Sequence, residues 1–348
     1  MPQRIGRYRS GDQVGVDRVD VARISRRRFL IGAAALGIGM VSGCGGAAPV
    51  SSPTPAALPT AQATTTPTPA AAVVALDEFA GLSVLSLGIK PVSVFLTFGY
   101  GSAKAVFEAA GVATTAAAPD GVNLEAVAAL KPSAIIGVSI PTTAAAESTL
   151  NSIAPTTVIA YTAPWQEQLQ VTGAALGRSA EAAALSTRLA DLTTALKNDL
   201  ASAGAADQTI SVIGAIESDI FALSRSGSVG SLLEQVGLKR PAAQDVVTEP
   251  TNPFIPISAE RINDHDADRI ILLSGGAYQS DSLTGSALWP ALTAVKEEQV
   301  IMVVAELWFS SNAFGIDWII RDLRAALLSD GSVASESDVV SRWQAFAQ

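Results

Sequence analysis

The chain has 348 residues and is acidic, with 32 Asp and Glu residues against 23 Lys and Arg residues and a formal net charge of −9 at pH 7. This balance argues against nucleic acid or an anionic membrane surface as the main partner, because both repel an acidic protein. The single cysteine excludes an internal disulfide, and the single histidine argues against a zinc or manganese site built from a His and carboxylate cluster.

The first 43 residues have the pattern of an export signal. The stretch SRRRFL, residues 25–30, places three arginines directly before an apolar run over residues 29–41. That run is shorter than the roughly 20 residues of a membrane span and ends in small residues, which predicts a twin-arginine (Tat) signal peptide over 1–43. The segment holds eight arginines and three aspartates, so its removal leaves a net charge of −14.

Cys44 closes the sequence VSGC, residues 41–44, which resembles a bacterial lipobox. In such proteins the chain is cut before the cysteine, and two or three acyl chains then hold the protein firmly to the membrane. The alternative, a buried core cysteine, fits poorly because a linker rather than a core follows Cys44. We therefore expect an extracytoplasmic lipoprotein that is anchored to the cell membrane through Cys44.

Residues 44–72 consist mainly of Ala, Pro and Thr and carry no charged side chain. They contain too few large apolar side chains to offset the entropy cost of ordering, and their prolines keep the chain extended. This composition predicts a disordered Pro/Thr/Ala-rich linker that holds a folded domain away from the membrane.

Beyond the linker, short runs rich in valine and isoleucine alternate with helical patterns. Six runs predict buried strands, at residues 92–98, 134–138, 157–161, 210–215, 269–273 and 300–304. Four of the segments between them predict helices, at residues 102–110, 123–130, 228–236 and 287–294. This alternation predicts an α/β fold with largely parallel sheets.

One long helix without an internal Gly or Pro is predicted over residues 179–203. At 1.5 Å per residue it spans about 36 Å, the width of a small domain. Its apolar positions follow one face: Ala184, Leu185, Leu189, Leu192, Leu196 and Leu200. We therefore expect two α/β lobes with mostly parallel sheets, over residues 73–178 and 204–348, joined by this one backbone helix.

Several short motifs follow one another along residues 73–348. They are LDEF (76–79), LGIKPV (87–92), NLEAVAALKPSAII (123–136), GSVGSLLEQVGL (227–238), ISAE (257–260), DADRI (266–270), WP (289–290) and AVK (294–296). In this order they resemble the class III, helical-backbone substrate-binding proteins of ABC importers. The resemblance implies a binding domain that captures a ferric siderophore, haem or cobalamin between two lobes and presents it to a permease and its ATPase.

Two further features resemble the iron-siderophore branch of that family. Residues 239–244 (KRPAAQ) are similar to a turn that is frequent in the branch, and Trp308 is followed by a helical pattern up to Leu328. The resemblance therefore favours a ferric siderophore as ligand, with cobalamin and haem as alternatives. Because the siderophore already saturates its iron, we expect no resident cofactor and no metal ligands from the protein.

The resemblance places the ligand at loops that follow the carboxyl ends of the strands, as in open α/β sheets generally. Five residues are candidates for contact with it: Arg225, Tyr100, Trp308, Tyr278 and Trp165. A guanidinium suits the anionic oxygens of a chelate, and aromatic rings suit its apolar linkers. The alternatives are a solvated arginine at the surface and aromatic side chains that only pack in the core.

His265 follows Asn263 and Asp264, at the expected end of a helix, and the sequence predicts a solvated loop histidine there. A haem ligand would require a well-placed His or Tyr, and Tyr100 or Tyr161 leave that alternative open.

Glu125 and Glu234 match glutamates that, in proteins of this kind, lie at the tip of each lobe and pair with arginines of the permease. The resemblance therefore implies a docking role, in which an exposed ion pair on each lobe favours orientation and association rate. The alternative is that both are helix first-turn glutamates favoured by the helix dipole, since Asn123 could cap one of the two helices.

The sequence does not have the motifs of the enzymes that share α/β folds. It contains no Gly-x-Ser-x-Gly elbow and no Gly-x-x-x-x-Gly-Lys phosphate loop. We expect no enzymatic activity, and a sensory lipoprotein without a transport role is the alternative from another class. We also expect a monomer whose lobes rotate by only a few degrees on binding, because the linking helix is stiff.

Overall fold

Two five-stranded sheets, one on either side of a long helix, form the described part of the chain. The computed structural model describes residues 72–118, 121–248 and 252–348, which belong to one compact unit. The predicted signal peptide over 1–43, the predicted lipidation site Cys44 and the linker as far as residue 71 lie outside the described residues and stay predictions.

The N-terminal lobe is built on a fully parallel sheet. Its strands, in the spatial order β3-β2-β1-β4-β5, are β1 (Val73–Ala75), β2 (Ser93–Leu96), β3 (Thr114–Ala116), β4 (Ala134–Val138) and β5 (Thr156–Ile159). Its helices are α1 (Glu78–Ser86), α2 (Gly101–Ala109), α3 (Leu124–Ala129), α4 (Pro141–Ile153) and α5 (Trp165–Ala175). A helix lies between each strand and the next, which is the crossover that parallel pairing requires.

Asp77 lies where the strand order of this sheet reverses, between β1 and β4. Its carboxylate accepts a hydrogen bond of 2.8 Å from the N–H of Ala80, in the first turn of α1, and another of 2.8 Å from the N–H of Val138, at the end of β4. Asp77 therefore caps α1 and ties the two strands together at the position where open α/β sheets bind ligands. Burial raises the pKa of this carboxyl to about 6.

The two lobes are joined by α6 (Ser179–Ser202), a helix of 24 residues. It packs against α5 and buries one face, with these residues inside: Ala182, Leu189, Thr193, Leu196 and Leu200. This spacing of three, four or seven residues keeps them on one side of the helix.

The C-terminal lobe has a mixed sheet. Its strands, in the spatial order β10-β9-β6-β7-β8, are β6 (Ile210–Ile216), β7 (Asp219–Leu223), β8 (Phe254–Ile257), β9 (Arg269–Ser274) and β10 (Val300–Val304). Strands β6, β9 and β10 are parallel, whereas β7 is antiparallel to both neighbours. Only two residues connect β6 to β7, and such a short turn requires an antiparallel pair.

The helices of this lobe are α7 (Gly227–Gln235), α8 (Asp281–Thr284), α9 (Thr293–Lys296), α10 (Ala305–Trp308), α11 (Ala313–Leu328) and α12 (Val339–Phe346). Helix α11 packs against α1 and α6 and carries the fully buried side chains of Phe314 and Trp318. One hydrophobic core therefore runs through both lobes. On β9, Ile271 and Leu273 point into this core, and the alternate residues point into a second cluster on the other face of the sheet.

The predicted fold class, two α/β lobes with mostly parallel sheets joined by one backbone helix, is confirmed. The helix predicted over 287–294 is wrong: a 3₁₀ turn (Trp289–Ala291) precedes α9, because Pro290 has no N–H to donate within a helix. The sequence patterns also do not predict β1, β3, β7 and β8, which are only three to five residues long.

Candidate ligand-binding cleft

Tyr100 and Tyr278, from opposite lobes, meet between the two sheets. Tyr100 follows β2 and Tyr278 follows β9, so both lie beyond the carboxyl ends of parallel strands. Their phenol oxygens are 2.7 Å apart, which is a hydrogen-bonding distance. Burial raises the pKa of both phenols, so both stay protonated and one hydroxyl donates to the other.

The loop that carries Tyr100 is held by Glu78, the first residue of α1. The Glu78 carboxylate accepts hydrogen bonds from the N–H of Phe98 at 3.0 Å and from the N–H of Tyr100 at 3.1 Å. Gly99, between them, has a φ of 70°, a left-handed conformation that glycine adopts without strain, so the chain can turn around the carboxylate. Burial raises the pKa of Glu78 to about 7.

A second polar contact between the lobes joins Glu306, in α10, to the start of α2. The Glu306 carboxylate accepts hydrogen bonds from the N–H of Gly101 at 3.2 Å and from the N–H of Ser102 at 2.7 Å. These are the first N–H groups of α2, which have no acceptor inside the helix and attract negative charge. Glu306 therefore caps the N-terminus of a helix that belongs to the other lobe. Burial raises the pKa of the Glu306 carboxyl.

Aromatic rings from both lobes surround the contact between the two tyrosines. Neighbouring rings have centroid separations of 4.9 to 6.4 Å, in tilted, stacked and T-shaped pairs that aromatic side chains prefer. The N-terminal lobe contributes Phe79, Phe98, Tyr100 and Tyr161, and the C-terminal lobe contributes Phe221, Phe254, Tyr278 and Phe309. The cleft is thus a largely apolar surface with a few hydroxyl groups.

Beside these rings a cavity of about 20 Å³ separates Tyr161 of the N-terminal lobe from Phe309 of the C-terminal lobe. The start of α7 and Ser311 form much of the remaining lining. Sites for small molecules enclose about 300 to 1,000 Å³, so a bulky ligand enters this cleft only when the lobes separate.

Arg225 lies in the loop between β7 and α7, beside the cavity but outside its lining. Its side chain is 40% exposed, and its guanidinium is 3.4 Å from the carboxylate of Asp245. With Lys239 and Arg240 it lines a separate surface pocket of about 380 Å³. The structure therefore does not bring Arg225 together with Tyr100 and Tyr278, and its guanidinium pairs with Asp245 instead.

Trp308 and Trp165 are both buried in the hydrophobic core. Trp308 is completely buried, and its indole N–H donates to the carboxylate of Asp322 at 2.9 Å. The next residue, Phe309, lines the cleft instead, because successive residues at the end of α10 point in directions about 100° apart. The placement differs from the sequence prediction: Phe309 occupies the position expected for Trp308, and Trp165 lies at the first, buried turn of α5.

His265 is buried, so the prediction of a solvated loop histidine is wrong. It ends a 3₁₀ helix (Ala259–His265), is 5% exposed, and has Nδ1 3.2 Å from the side-chain nitrogen of Gln244. Burial lowers its pKa. Gln244 also donates to the hydroxyl of Ser211, so His265 belongs to a buried polar cluster beneath the sheet rather than to the cleft.

In residues 72–118, 121–248 and 252–348, no group of three or more His, Cys, Asp and Glu side chains is arranged to hold a metal ion. Within the same ranges, no helix has both the length and the apolar character needed to cross a membrane.

Glu125 and Glu234 are exposed, one on each lobe. Glu125 is in the first turn of α3, whose N-cap Asn123 accepts a hydrogen bond of 2.9 Å from the N–H of Ala126. Glu234 is in the last turn of α7, where the helix dipole disfavours a carboxylate. The dipole therefore accounts for Glu125 but not for Glu234.

Sequence reasoning missed Glu306 and Phe309. The only local signal for either is the position directly after β10, a strand whose end the sequence places correctly. A glutamate and an aromatic residue at such a strand exit are candidates for a cleft.

The sequence model of the periplasmic binding protein family matches residues 63–307. No curated protein matches the sequence at a significant level. Solved structures share the fold at low identity. The Staphylococcus aureus protein SirA complexed with staphyloferrin B is 24% identical, with a TM-score of 0.64 over 74% of this chain and 92% of that chain.

Two further structures have similar values. FhuD2 from S. aureus with bound ferrioxamine B is 21% identical, with a TM-score of 0.62 over 78% of this chain and 98% of that chain. The siderophore periplasmic binding protein from the fuscachelin gene cluster of Thermobifida fusca is 22% identical, with a TM-score of 0.60 over 74% and 96%. At these identities the likeness shows the fold alone, whereas the family match covers well over half of the chain. The chain therefore belongs to the periplasmic binding protein family.

Proposed function

We propose that this protein is the extracytoplasmic binding component of an ABC importer and captures a ferric siderophore between its two lobes. The observation that carries the proposal is the cleft in which aromatic rings from both lobes surround the contact between Tyr100 and Tyr278. A siderophore surrounds its iron with oxygen ligands and presents apolar linkers that such rings contact well. Proteins of the same fold that were solved with staphyloferrin B and with ferrioxamine B support this ligand class by analogy.

In this proposal the rest of the chain serves export and delivery. The Tat-type signal peptide directs the folded protein out of the cell, acylated Cys44 anchors it in the lipid bilayer, and the linker over residues 44–72 gives the domain reach. Glu125 and Glu234 dock it on the permease, which works with its ATPase. The protein itself is a monomer without enzymatic activity or a resident cofactor.

Ligand entry requires the two lobes to separate. The cavity of about 20 Å³ is much smaller than a siderophore, and the Tyr100–Tyr278 and Glu306–Ser102 hydrogen bonds join one lobe to the other. We expect the ligand to replace these contacts with its own. The continuous core and α6 limit the rotation of the lobes to a few degrees. Solution scattering of the free and the ligand-bound protein measures this rotation.

The test is a calorimetric titration of the full chain with a ferric hydroxamate, a ferric catecholate, ferric citrate, cobalamin and haem. We expect saturable sub-micromolar binding of one ferric chelate and no binding of the same chelator without iron. Binding of cobalamin or haem alone would keep the fold and the importer role but change the substrate. Absence of binding across the panel would favour a sensory lipoprotein without a transport role.

A further inference from the structure

The N-terminus of α7 faces the cleft without a side-chain cap. Ser226, at the N-cap position, does not bond to the helix: its hydroxyl accepts a hydrogen bond of 2.9 Å from the N–H of Thr248. The first N–H groups of a helix have no acceptor inside it. Gly227, Ser228 and Val229, which carry these groups in α7, all line the cavity between the lobes.

The side chain of Ser228 adds a second, independent donor at the same place. Ser228 is 4% exposed and lines the cavity, and its hydroxyl has no hydrogen-bond partner among the described residues. A buried hydroxyl without a partner costs free energy, so folding alone does not explain a serine here. A group that enters the cleft from outside would give this hydroxyl its partner.

The surroundings of Ser228 favour an anionic group. Among the described residues, the polar side chains that line this cavity belong to Tyr161, Ser226, Ser228 and Ser311, and none is a carboxylate. The positive end of the α7 dipole points to the same space. The other end of the cleft is different, since the buried carboxylates of Glu78 and Glu306 lie there.

We propose that the N-terminus of α7, together with the hydroxyl of Ser228, is the subsite that holds one carboxylate group of the bound chelate. This inference rests on the proposed function and specifies its ligand class, a carboxylate-type ferric chelate. The oxygens of this group accept hydrogen bonds from the backbone N–H groups and from Ser228. The rest of the chelate lies against the aromatic rings.

The test compares two substitutions at Ser228 in the full chain, with ferric citrate as the carboxylate probe and ferrioxamine B as the hydroxamate probe. Ser228→Ala removes the hydroxyl, and we expect ferric citrate to bind about tenfold more weakly or worse, with an equal or higher melting temperature because an unpartnered buried hydroxyl is gone. Ser228→Asp places a carboxylate of the protein itself at the helix start. It should abolish binding of ferric citrate, because its negative charge takes the place of the chelate's carboxylate at the helix N-terminus.

Ser83→Ala is the matched control, because Ser83 is a buried serine of α1 whose hydroxyl donates to the carbonyl of Phe79 at 2.9 Å. We expect it to lower the melting temperature and to leave the affinity for ferric citrate unchanged. A purely structural role of Ser228 predicts this same pattern for Ser228→Ala and would overturn the inference.

The two proposals fail in different ways. If the protein binds ferric citrate and both Ser228 variants bind it equally well, the subsite is wrong and the siderophore function stands. Binding of ferrioxamine B alone would likewise overturn the carboxylate subsite and keep the function. If the wild-type chain binds neither probe nor any other ferric chelate, the proposed function fails and the subsite fails with it.

Discussion

The hydroxyl groups of Tyr100 and Tyr278 lie 2.7 Å apart, although 178 positions separate the two residues in the chain. Each phenol is the polar partner of the other in a surface that is otherwise aromatic, so the contact favours the closed arrangement of the lobes. Glu306 acts in the same direction, because its carboxylate accepts a hydrogen bond from the N-terminus of α2 in the opposite lobe. A few polar contacts therefore stabilise the closed arrangement of the two lobes, and we expect a ligand to replace them.

Tyr278→Phe should lower the free energy of unfolding by about 1–2 kcal/mol, because it leaves the buried hydroxyl of Tyr100 without its partner. The double variant Tyr100→Phe/Tyr278→Phe should cost less than the sum of the two single variants, since no unpaired hydroxyl remains. Urea denaturation of the four proteins measures this coupling. Strictly additive costs would show that the two hydroxyls do not interact.

Glu306→Gln should lower the free energy of unfolding by about 1 kcal/mol, because the amide replaces one of the two acceptor oxygens by a donor and leaves the N–H of Gly101 or of Ser102 without its partner. It should also speed the association of a ferric chelate, since the closed form is less favoured. Glu108→Gln is the control on the same helix, where an exposed glutamate pairs loosely with Lys104 at 3.6 Å. Stopped-flow mixing and denaturation together check both effects, and equal behaviour of the two variants would contradict the role of Glu306.

Glu78 should make stability depend on pH. Its pKa is about 7 in the folded protein against an ordinary value of 4.5, so between these values the folded state binds more protons than the unfolded state. The free energy of unfolding therefore falls as the pH rises through this range. Glu78→Gln removes this contribution, and from pH 5 to pH 8 wild type should lose on the order of 2 kcal/mol relative to the variant.

Denaturation of both proteins at several pH values provides the measurement. Exposed Glu147, on α4, serves as the control site, and Glu147→Gln should keep the wild-type slope. Parallel pH profiles for wild type and Glu78→Gln would exclude Glu78 as the source. Asp77 is present in all three proteins, so its contribution cancels in the comparison.

Phe309→Ala should weaken binding of the ferric chelate by about tenfold, because it removes a ring that lines the cleft. Trp308→Phe should leave the affinity unchanged and lower stability, since the indole N–H bond to Asp322 is lost inside the core. Calorimetry and thermal melting separate the two effects. A large loss of affinity in Trp308→Phe would show that Trp308 contributes to ligand binding.

Glu125→Ala and Glu234→Ala should leave chelate affinity unchanged and impair uptake of the iron chelate by cells. Both side chains are exposed on the lobe surfaces, so Glu234→Ala should leave the melting temperature unchanged, and Glu125→Ala should lower it only slightly through the lost interaction with the helix dipole. Glu147→Ala is the matched exposed control. Normal uptake by the double variant Glu125→Ala/Glu234→Ala would show that these two residues do not dock the protein on the permease.

The sequence predicted the architecture well because the signals of its main elements are local. The apolar runs 134–138 and 300–304 coincide with β4 and β10, and a segment without Gly or Pro became α6. The hairpin of β6 and β7 was missed because its short second strand has no distinctive pattern of its own. Hydrophobic periodicity indicates the type of each element and which of its faces is buried. The succession of strands and helices in the two lobes can therefore be predicted from it.

The cleft depends on contacts that no local pattern records. The sequence placed Tyr100 and Tyr278 at strand exits, but only the packing of the lobes brings their hydroxyls together and turns Trp308 inward while Phe309 lines the cleft. Period alone determined the alternation of strands and helices, whereas the export signal and the linker are predictions from composition. The partner of each cleft residue was decided by the tertiary structure, because residues from distant parts of the chain meet only when the two lobes pack against each other.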